Sequence, residues 1–395
     1  MRFYDGPQTN GYDRAKAIAV DDSGNVRVTG FIDVTKYGDG GDYATIKYDP
    51  KGISLWLDTY NGPGDYTDAA TDIAVDDSGN VFVTGYSSPS PPPGSADYYT
   101  IGYDKDGGLI GYDRYDGPAS GSDKARAITV DASGNVYVTG YSDGGGTGYD
   151  FLTIKYDLFL FRTWVKRYSS GTGYTWDEAT AIAVDGSGNV YVTGVSEGDY
   201  LTIKYDASGN LLCSARYNGP GNGFDRATDI ALEDCNNFFV TGYSYGGTGT
   251  YDDYATIRYN SSCNQIWVRR YNGSGNFGDE ANAIAFGFAK NRYGNIYVTG
   301  YSTVSWETYA TIRYAQFKCG DANCDGNVSV SDVSYLINYL FKGGPPPCPI
   351  LQSGDVNCDG VVSISDVNYL INYLFKGGPP PCDTSGDGNP DCYGY

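Results

Sequence analysis

Short apolar segments separated by turn-forming residues run along most of the chain. The first complete unit contains four of them, each rich in β-branched or aromatic residues. They are residues 17–20, 25–30, 43–48 and 55–60. The connections at 21–25 and 49–52 contain the Asp, Ser, Pro and Gly residues of tight turns. This pattern predicts antiparallel β-strands joined by short hairpins.

The same four segments recur along the chain, and their clearest marker is the triplet Val-Thr-Gly, which occurs six times. Its glycines are Gly30, Gly85, Gly140, Gly194, Gly242 and Gly300. A period of about fifty residues indicates an array of supersecondary units. Four antiparallel strands in each unit predict the blades of a β-propeller.

The two ends of the repeat region indicate how the array closes. Residues 2–7 match the fourth strand and exit turn of other units, such as 59–63 and 216–220, whereas the last unit ends after its third strand at 310–314. Joining the first segment to the last unit makes six complete blades and covers an open sheet edge. We therefore expect a mainly β protein, with a six-bladed propeller of four-stranded antiparallel blades closed by the N-terminal strand, and a small α-helical calcium module after it.

Residues 182–194 read Ile-Ala-Val-Asp-Gly-Ser-Gly-Asn-Val-Tyr-Val-Thr-Gly. This segment resembles the SBBP repeat family, and the resemblance extends over about residues 1–316. It implies a propeller fold. The family is named for seven-bladed propellers, whereas this sequence supplies six repeats.

After Lys318 the chain changes to two copies of one unit, 34 residues apart. Each copy fits a twelve-residue EF-hand-type loop with oxygen ligands at positions 1, 3, 5, 7, 9 and 12. The first set is Asp321, Asn323, Asp325, the Asn327 carbonyl, Ser329 and Asp332, and the second is Asp355, Asn357, Asp359, the Val361 carbonyl, Ser363 and Asp366. Carboxylates grouped in this way repel one another without a cation. The spacing predicts two Ca²⁺ sites.

Each loop continues into a segment with apolar residues at i, i+3, i+4 and i+7, which predicts an amphipathic helix, and Gly-Gly-Pro-Pro-Pro follows both segments. This duplicated unit closely resembles a type I dockerin. The resemblance implies docking to a cohesin-bearing scaffold through loop positions 10 and 11, which are Val330 with Ser331 and Ile364 with Ser365. An alternative is that the module only caps the propeller or tethers it to a surface.

These patterns divide the chain into an SBBP-type propeller at 1–316, a dockerin-like domain at 317–382 and an Asp/Gly-rich tail at 383–395. The tail resembles a fragment of a third calcium loop, with a simple solvated tail as the alternative. Six of the nine cysteines lie in the last 77 residues, a density typical of disulfide-bonded extracellular modules. We therefore expect a secreted or cell-surface protein, although the first residues lack the features of a signal peptide and no apolar run is long enough to span a membrane.

Within the propeller, Cys235 and Cys263 both replace turn residues of one repeat, which predicts a disulfide between them. Cys213 takes a position that tryptophan holds in other repeats, and we expect a buried thiol there.

The composition limits the chemistry. The chain has no histidine, which excludes Ser-His-Asp triads, Cys-His dyads and His-based zinc sites. Its net charge of −21 argues against nucleic acid as a partner.

One aspartate precedes the first strand of every repeat. These residues are Asp13, Asp68, Asp123, Asp177, Asp225 and Asp279. A ring of six carboxylates at one mouth of the propeller would hold a cation or hydrogen-bond a sugar. The alternative, which we favour, is that each aspartate caps a tight turn through backbone N–H groups.

Acidic and aromatic residues that break the repeat are the other candidates. The glutamates are Glu178, Glu197, Glu233, Glu280 and Glu307, and the loop aromatics are Tyr37, Tyr66, Tyr149, Tyr174, Trp176, Tyr245, Tyr251 and Trp306. A glycosidase requires two carboxylates at a defined separation, whereas exposed aromatic rings suit stacking on sugars.

We expect a non-catalytic binding or scaffold module with a glycan or protein ligand, attached by its Ca²⁺-dependent dockerin. The alternatives are a polysaccharide-degrading hydrolase or lyase and a structural cell-surface protein.

Overall fold

A computed structural model of the chain describes most of the repeat region and the two C-terminal helices. The described residues are 4, 6–7, 11–33, 41–63, 66–89, 95–171, 175–233, 237–249, 251–288, 294–303, 307–315, 322, 328–344, 347, 356–357 and 362–378.

The repeats form antiparallel sheets in chain order, as the sequence predicts. The first sheet contains β1 (Arg14–Val20), β2 (Val26–Asp33), β3 (Gly41–Tyr48) and β4 (Ser54–Tyr60). The second contains β5 (Asp68–Val75), β6 (Val81–Ser87), β7 (Asp97–Tyr103) and β8 (Leu109–Tyr115). The third contains β9 (Lys124–Val130), β10 (Val136–Asp143), β11 (Gly148–Tyr156) and β12 (Arg162–Tyr168).

The later repeats follow the same order. The fourth sheet contains β13 (Thr175–Val184), β14 (Val190–Ser196), β15 (Asp199–Tyr205) and β16 (Leu211–Tyr217). The fifth contains β17 (Asp225–Leu232), β18 (Phe238–Tyr245), β19 (Asp252–Tyr259) and β20 (Gln265–Tyr271). The sixth contains β21 (Asp279–Phe288), β22 (Gly294–Thr303) and β23 (Glu307–Ala315). A short parallel pairing of β11 with β13 joins the third sheet to the fourth.

The expectation of a mainly β fold with four-stranded units is confirmed. Half of the predicted closing strand at 2–7 lies outside the described residues, so the closed six-bladed ring stays a prediction. Contacts divide the chain into two compact units, Met1–Ile284 with Gly300–Ala310 and Ala285–Thr299 with Thr311–Tyr395. The first strands of all six sheets begin in the first unit, and both C-terminal helices lie in the second.

The Val-Thr-Gly triplet recurs because the glycine permits a close approach of backbones. A Cβ built on Gly140 would lie 2.1 Å from the Lys124 carbonyl oxygen of β9 and 2.7 Å from the Tyr98 hydroxyl of the preceding sheet. Tyr98 in turn donates to the Leu152 carbonyl of the third sheet. The middle threonine, Thr139, contacts the Thr153 hydroxyl of β11 at 3.2 Å. The triplet therefore joins three strands of one sheet and the sheet before it.

Two amphipathic helices form the C-terminal module, α1 (Val330–Lys342) and α2 (Ile364–Lys376). Each begins with a capping box in which a serine and an aspartate satisfy each other's backbone N–H groups, and each ends at a left-handed glycine. The apolar faces pack together around Leu336 and Leu370, both fully buried. The helices predicted from the apolar spacing are thus present.

The expected Cys235–Cys263 disulfide and the expected buried thiol at Cys213 are both wrong, because Cys263 is bonded to Cys213. The tryptophan position on each fourth strand faces the hairpin turn of the next sheet, as Trp56 does over Gly107. Cys213 occupies that tryptophan position and Cys263 the matching turn position, where it adopts a positive φ of 64°. A tryptophan–glycine contact between sheets has thereby become a covalent link with a Cα–Cα distance of 6.0 Å.

Replacing Cys213 by alanine is expected to lower the free energy of unfolding by about 2–4 kcal/mol, since the link closes a long loop in the unfolded chain. Urea unfolding without reductant measures this effect. The double variant Cys213→Trp/Cys263→Gly restores the pair found in other sheets and should recover part of the loss. An unchanged unfolding midpoint for Cys213→Ala would contradict the assignment of the bond.

Candidate functional site

The six repeat aspartates lie at the start of the first strands and accept hydrogen bonds from the loops before them. Asp123 is typical, because its two carboxylate oxygens accept the backbone N–H groups of Gly117 at 2.7 Å and Asp143 at 3.1 Å. In the other repeats the equivalent backbone N–H groups donate to the aspartate in the same way: Gly6 to Asp13, Gly62 to Asp68, Ser170 to Asp177, Gly219 to Asp225 and Gly273 to Asp279. This is the geometry of a turn cap.

One of these aspartates also belongs to an acidic cluster. Oxygens of Asp97, Asp116 and Asp123 lie within 4.8 Å of one another. Arg114 pairs with Asp97 at 2.5 Å and already supplies positive charge there. The cluster is therefore part of the inter-strand ion pairing that the repeat uses elsewhere, as between Arg167 and Asp150.

The positions one and three residues after each repeat aspartate form what we call the inner rim. In the first five sheets the second of these positions is a β-bulge, because the pairing of first and second strands skips it. Thr71, Thr180 and Thr228 hold this bulge in three sheets, and each hydroxyl bonds a carbonyl of its own sheet and one of the next sheet. The bonds to the next sheet reach Ala125 at 3.1 Å, Ala227 at 2.8 Å and Ala281 at 2.8 Å. The inner rim therefore runs where first strands of adjacent sheets meet.

Glu178 is the central charged residue of the inner rim. Its carboxylate is 1% exposed and accepts bonds from Arg126 Nε at 2.7 Å and Arg226 Nη1 at 3.2 Å, which come from the sheets on either side. Burial by itself raises the pKa of Glu178, but the two guanidinium groups outweigh burial and lower it below its usual value. The carboxylate is thus held ionised and is unsuited to act as a general acid.

An aromatic cluster with one exposed ring, Trp176, lies beside Glu178. Trp176 donates from its indole Nε1 to the Glu178 carboxylate at 3.1 Å and keeps 59% of its surface exposed. Its ring lies 6.0 Å from that of Tyr149, which lies 4.7 Å from Tyr141. The Arg126 guanidinium lies 5.3 Å from the Tyr141 ring centre. The short parallel pairing of β11 with β13 places Tyr149 opposite Trp176 and so builds the cluster.

The other candidate aromatic residues that the structure describes do not belong to this cluster. Tyr251 stacks near Phe277 at 6.5 Å, and Tyr245 follows its own sheet as the last residue of β18. Tyr66 lies in the loop before β5. Tyr37, Tyr174 and Trp306 lie outside the described residues. Tyr141 was missed from the sequence because it occupies a regular position after Val-Thr-Gly.

The remaining glutamates do not gather into one site among the described residues. Glu197 lies 3.7 Å from Arg216, and Glu233 closes a hairpin turn and pairs with Arg258 at 2.9 Å. Glu280 occupies the inner rim of the sixth sheet, and Glu307 begins β23 rather than lying in a loop.

Two aspartates that sequence reasoning missed directly follow the bulge threonine in the first strands of the second and fifth sheets. Asp72 accepts the N–H of Ile128 at 2.9 Å and Asp229 that of Ile284 at 2.8 Å, so each links two sheets. Burial raises the pKa of both to about 6, and the charge of Asp229 adds to the shift at Asp72. The sequence could have identified Asp72 and Asp229, because the equivalent residue is alanine in the other four repeats.

These two aspartates predict a pH dependence. Their pKa is higher in the folded than in the unfolded chain. Their contribution to the free energy of unfolding is therefore fully present below about pH 4 and is lost as the pH rises through about 6. The variant Asp72→Ala/Asp229→Ala, with the alanine of the other repeats, should gain stability relative to the parent as the pH rises from 4 to 7. Urea unfolding at several pH values measures the difference. Asp77→Ala, in an exposed turn, is the control, and parallel pH profiles for parent and double variant would contradict the prediction.

The described calcium-loop residues are Ser329, Asp332, Asn357, Ser363 and Asp366, and the other seven predicted ligands lie outside the described residues. Asp332 and Asp366 are fully buried. Asp366 accepts the N–H groups of Val356 at 2.7 Å and Asn357 at 3.1 Å, which fold the start of the loop over its last position. Buried carboxylates in an all-oxygen donor set fit a hard cation such as Ca²⁺.

The predicted docking residues occupy equivalent places on the two helices. Val330 and Ile364 are the first helical residues and are 53% and 51% exposed. The neighbouring hydroxyls of Ser331 and Ser365 lie 2.6 Å from the N-cap serine hydroxyls. The module therefore presents two similar surfaces.

Comparisons with known proteins agree with this architecture. Residues 111–146 and 163–200 match the model of the SBBP beta-propeller repeat, and residues 319–375 match that of the dockerin type I domain. No curated protein matches the chain.

Solved structures with some likeness to the chain share little of its sequence. A protein of unknown function from Bacteroides caccae is 12% identical, with a TM-score of 0.39 over 67% of this chain and 81% of its own. A structure named "putative gluconolactonase" is 11% identical, with a TM-score of 0.39 over 78% of this chain and 94% of its own.

The family of the C-terminal module carries functional meaning. Type I dockerin domains bind Ca²⁺ and imply a cohesin partner, and the proteins that carry them are typically secreted or associated with a cell surface. Neither helix of the described part of the chain is long and apolar enough to cross a membrane. The chain combines SBBP beta-propeller repeats with a type I dockerin domain, as its sequence motifs predicted.

Proposed function

We propose that the chain is a secreted, non-catalytic propeller that binds a glycan at its inner rim and is attached to a cohesin-bearing assembly by its dockerin. The observation that carries this proposal is the exposed Trp176 ring beside Tyr149 and the ion pairs of Glu178. An exposed aromatic ring next to fixed charged groups suits a sugar, whose ring face is apolar and whose edge carries hydroxyls.

The electrostatics of Glu178 support binding over catalysis. A buried carboxylate held ionised by Arg126 and Arg226 donates no proton, and it holds these two guanidinium groups and the Trp176 indole in place. Because the Trp176 indole N–H is already bonded to it, the ring orientation is set before a ligand arrives.

On the dockerin, we propose two Ca²⁺ ions held by the two ligand sets named above, with the tail at 383–395 as a partial third loop. The exposed pairs Val330 with Ser331 and Ile364 with Ser365 are the proposed cohesin contacts. Their near-equivalent exposure supports two alternative docking orientations of one module.

A second candidate function is hydrolysis of a polysaccharide by Asp72 and Asp229. The observation in its favour is their pKa of about 6, which suits general acid–base chemistry near neutral pH. Against it, both oxygens of each carboxylate accept a backbone N–H, which is a structural use of the group.

Replacing Trp176 by alanine is expected to weaken glycan binding roughly tenfold or more, since stacked aromatic anchors dominate such sites. Incubation of the full chain with a panel of insoluble polysaccharides, scoring retention in the pellet and release of reducing or unsaturated ends together, measures binding and catalysis at once. Phe161→Ala is the matched control, because Phe161 is 72% exposed in a hairpin turn at the opposite end of its sheet.

Retention that is lost in the Trp176 variant and kept in the control supports the proposal. Product release that Asp72→Ala abolishes would favour the hydrolase instead. Neither retention nor release from any polysaccharide would overturn both and leave a structural surface protein.

A further inference from the structure

We infer that the inner rim binds an anionic glycan, with carboxylate or sulfate groups pairing with Lys16, Lys124 and Arg126 and a sugar ring stacked on Trp176. This inference rests on the proposed glycan binding and names the ligand class.

The charge of the inner rim is opposite in sign to that of the chain. Its twelve positions hold five cationic residues and two carboxylates, although the chain as a whole carries −21. The cations are Arg14, Lys16, Lys124, Arg126 and Arg226. Glu178, one of the two carboxylates, is already paired with two of them. Positive charge concentrated at one end of the sheets of an acidic protein attracts an anionic ligand to that place.

Lys16 and Arg126 occupy bulge positions where the architecture favours threonine. Thr71, Thr180 and Thr228 each join two sheets there through their hydroxyl. A lysine or arginine at the bulge gives up that tie, and Lys16 has no hydrogen-bond or ion-pair partner among the described residues. Arg126 gains the ion pair with Glu178 in exchange, whereas Lys16 departs from the structural rule of the repeat with no such gain, which indicates a functional position.

The cations also crowd one another. Burial lowers the pKa of Lys16, and the charges of Arg14 and Arg126 lower it further, although Arg126 belongs to the third sheet and Lys16 to the first. Like charges collected from separate sheets are costly unless a counter-ion reduces the repulsion. A bound anionic ligand would act as this counter-ion.

The surroundings favour a sugar over a simple ion. The Lys124 ammonium lies 4.2 Å from the Tyr86 ring centre, and the Arg126 guanidinium lies over Tyr141 next to Tyr149 and Trp176. Alternating cations and aromatic faces suit a chain in which acidic groups and apolar ring faces alternate, as in a polyuronate. A dockerin implies an assembly outside the cell, where such polysaccharides are encountered.

The test uses the full chain with Ca²⁺ and two polysaccharides that share one backbone. Polygalacturonate is anionic, and its methyl-esterified form is nearly neutral. Isothermal titration should show binding of polygalacturonate that weakens with added salt and little binding of the ester. Comparing the binding of dextran sulfate with that of dextran tests the same requirement for sulfate groups.

The variant Lys16→Thr/Arg126→Thr installs the residue of three other repeats, but it also removes one of the two guanidinium groups paired with the buried Glu178 and should unfold at a lower urea concentration. The single variant Lys16→Thr breaks no such pair and should unfold at an equal or higher urea concentration, so it tests binding in a fully stable protein. Each lost charged contact is expected to weaken polygalacturonate binding about tenfold. The matched control is Lys51→Thr/Lys105→Thr, which removes the same charge from two exposed hairpin turns at the other end of the sheets.

Salt-dependent binding of the acidic chain, lost in the rim variant and kept in the control, supports the inference. Equal binding of the ester, or unchanged binding by the rim variant, overturns it while leaving glycan binding intact. Equal binding of polyglutamate or of a single-stranded polynucleotide overturns the glycan as ligand. Absence of binding to every polysaccharide, neutral or acidic, overturns the proposed function as well.

Discussion

The double variant Asp332→Asn/Asp366→Asn should lose Ca²⁺ binding almost completely, with a drop in affinity of more than about 100-fold at each loop. Both carboxylates are fully buried at the last loop position. Asp366 also holds Val356 and Asn357 through their N–H groups. An amide has one acceptor oxygen and no charge, so it retains part of the cap but cannot offset the charge of a divalent cation.

Calorimetric titration of the full chain with Ca²⁺ measures this loss. Asp77→Asn, in an exposed hairpin turn of the second sheet, is the control and should bind Ca²⁺ like the parent. Because binding free energy is folding free energy in small metal modules, chelation of the parent should also expose the C-terminal helices to protease. An unchanged Ca²⁺ titration in the double variant would rule out these loops as the sites.

Replacing Gly140 by alanine should lower the free energy of unfolding by roughly 4 kcal/mol or more. A Cβ at this position would lie 2.1 Å from the Lys124 carbonyl oxygen and 2.7 Å from the Tyr98 hydroxyl. The first contact is with backbone and cannot be relieved by turning a side chain. Relief requires β9 and β10 to separate, which weakens their hydrogen bonds and displaces a buried tyrosine.

Urea unfolding compares this variant with Gly146→Ala. Gly146 lies in the loop between β10 and β11, a Cβ added there would meet no described atom within 4 Å, and its φ is not positive. The control should therefore change stability by less than about 0.5 kcal/mol. Equal unfolding midpoints for the two variants would contradict the packing assigned to Val-Thr-Gly.

The strands and helices were predictable because their signals are local. Segments such as 25–30 alternate with hairpin turns in which Asp21 accepts the N–H of Asn25 at 2.8 Å. The capping boxes at Ser329 and Ser363 are likewise complete within four residues. Interactions of this range depend on neighbours in sequence, and repetition showed them several times over.

The disulfide and the inner rim were not predictable in the same way. Cys213 and Cys263 are 50 residues apart and meet because fourth strands face the turn of the next sheet. Arg126, Glu178 and Arg226 come from three sheets. Their only sequence signal is a departure from the repeat at positions that become neighbours once sheets are packed side by side.

The sequence by itself determined the repeat unit, the two capped helices and the calcium-loop spacing, because hydrogen bonds and apolar periodicity within about a dozen residues specify each of them. Only the tertiary structure decided which acids are turn caps, which cysteines pair and which charges share the inner rim. Those outcomes depend on distances between sheets some fifty residues apart in the chain, and the backbone pairing that places Tyr149 opposite Trp176 exists only after two sheets have packed together.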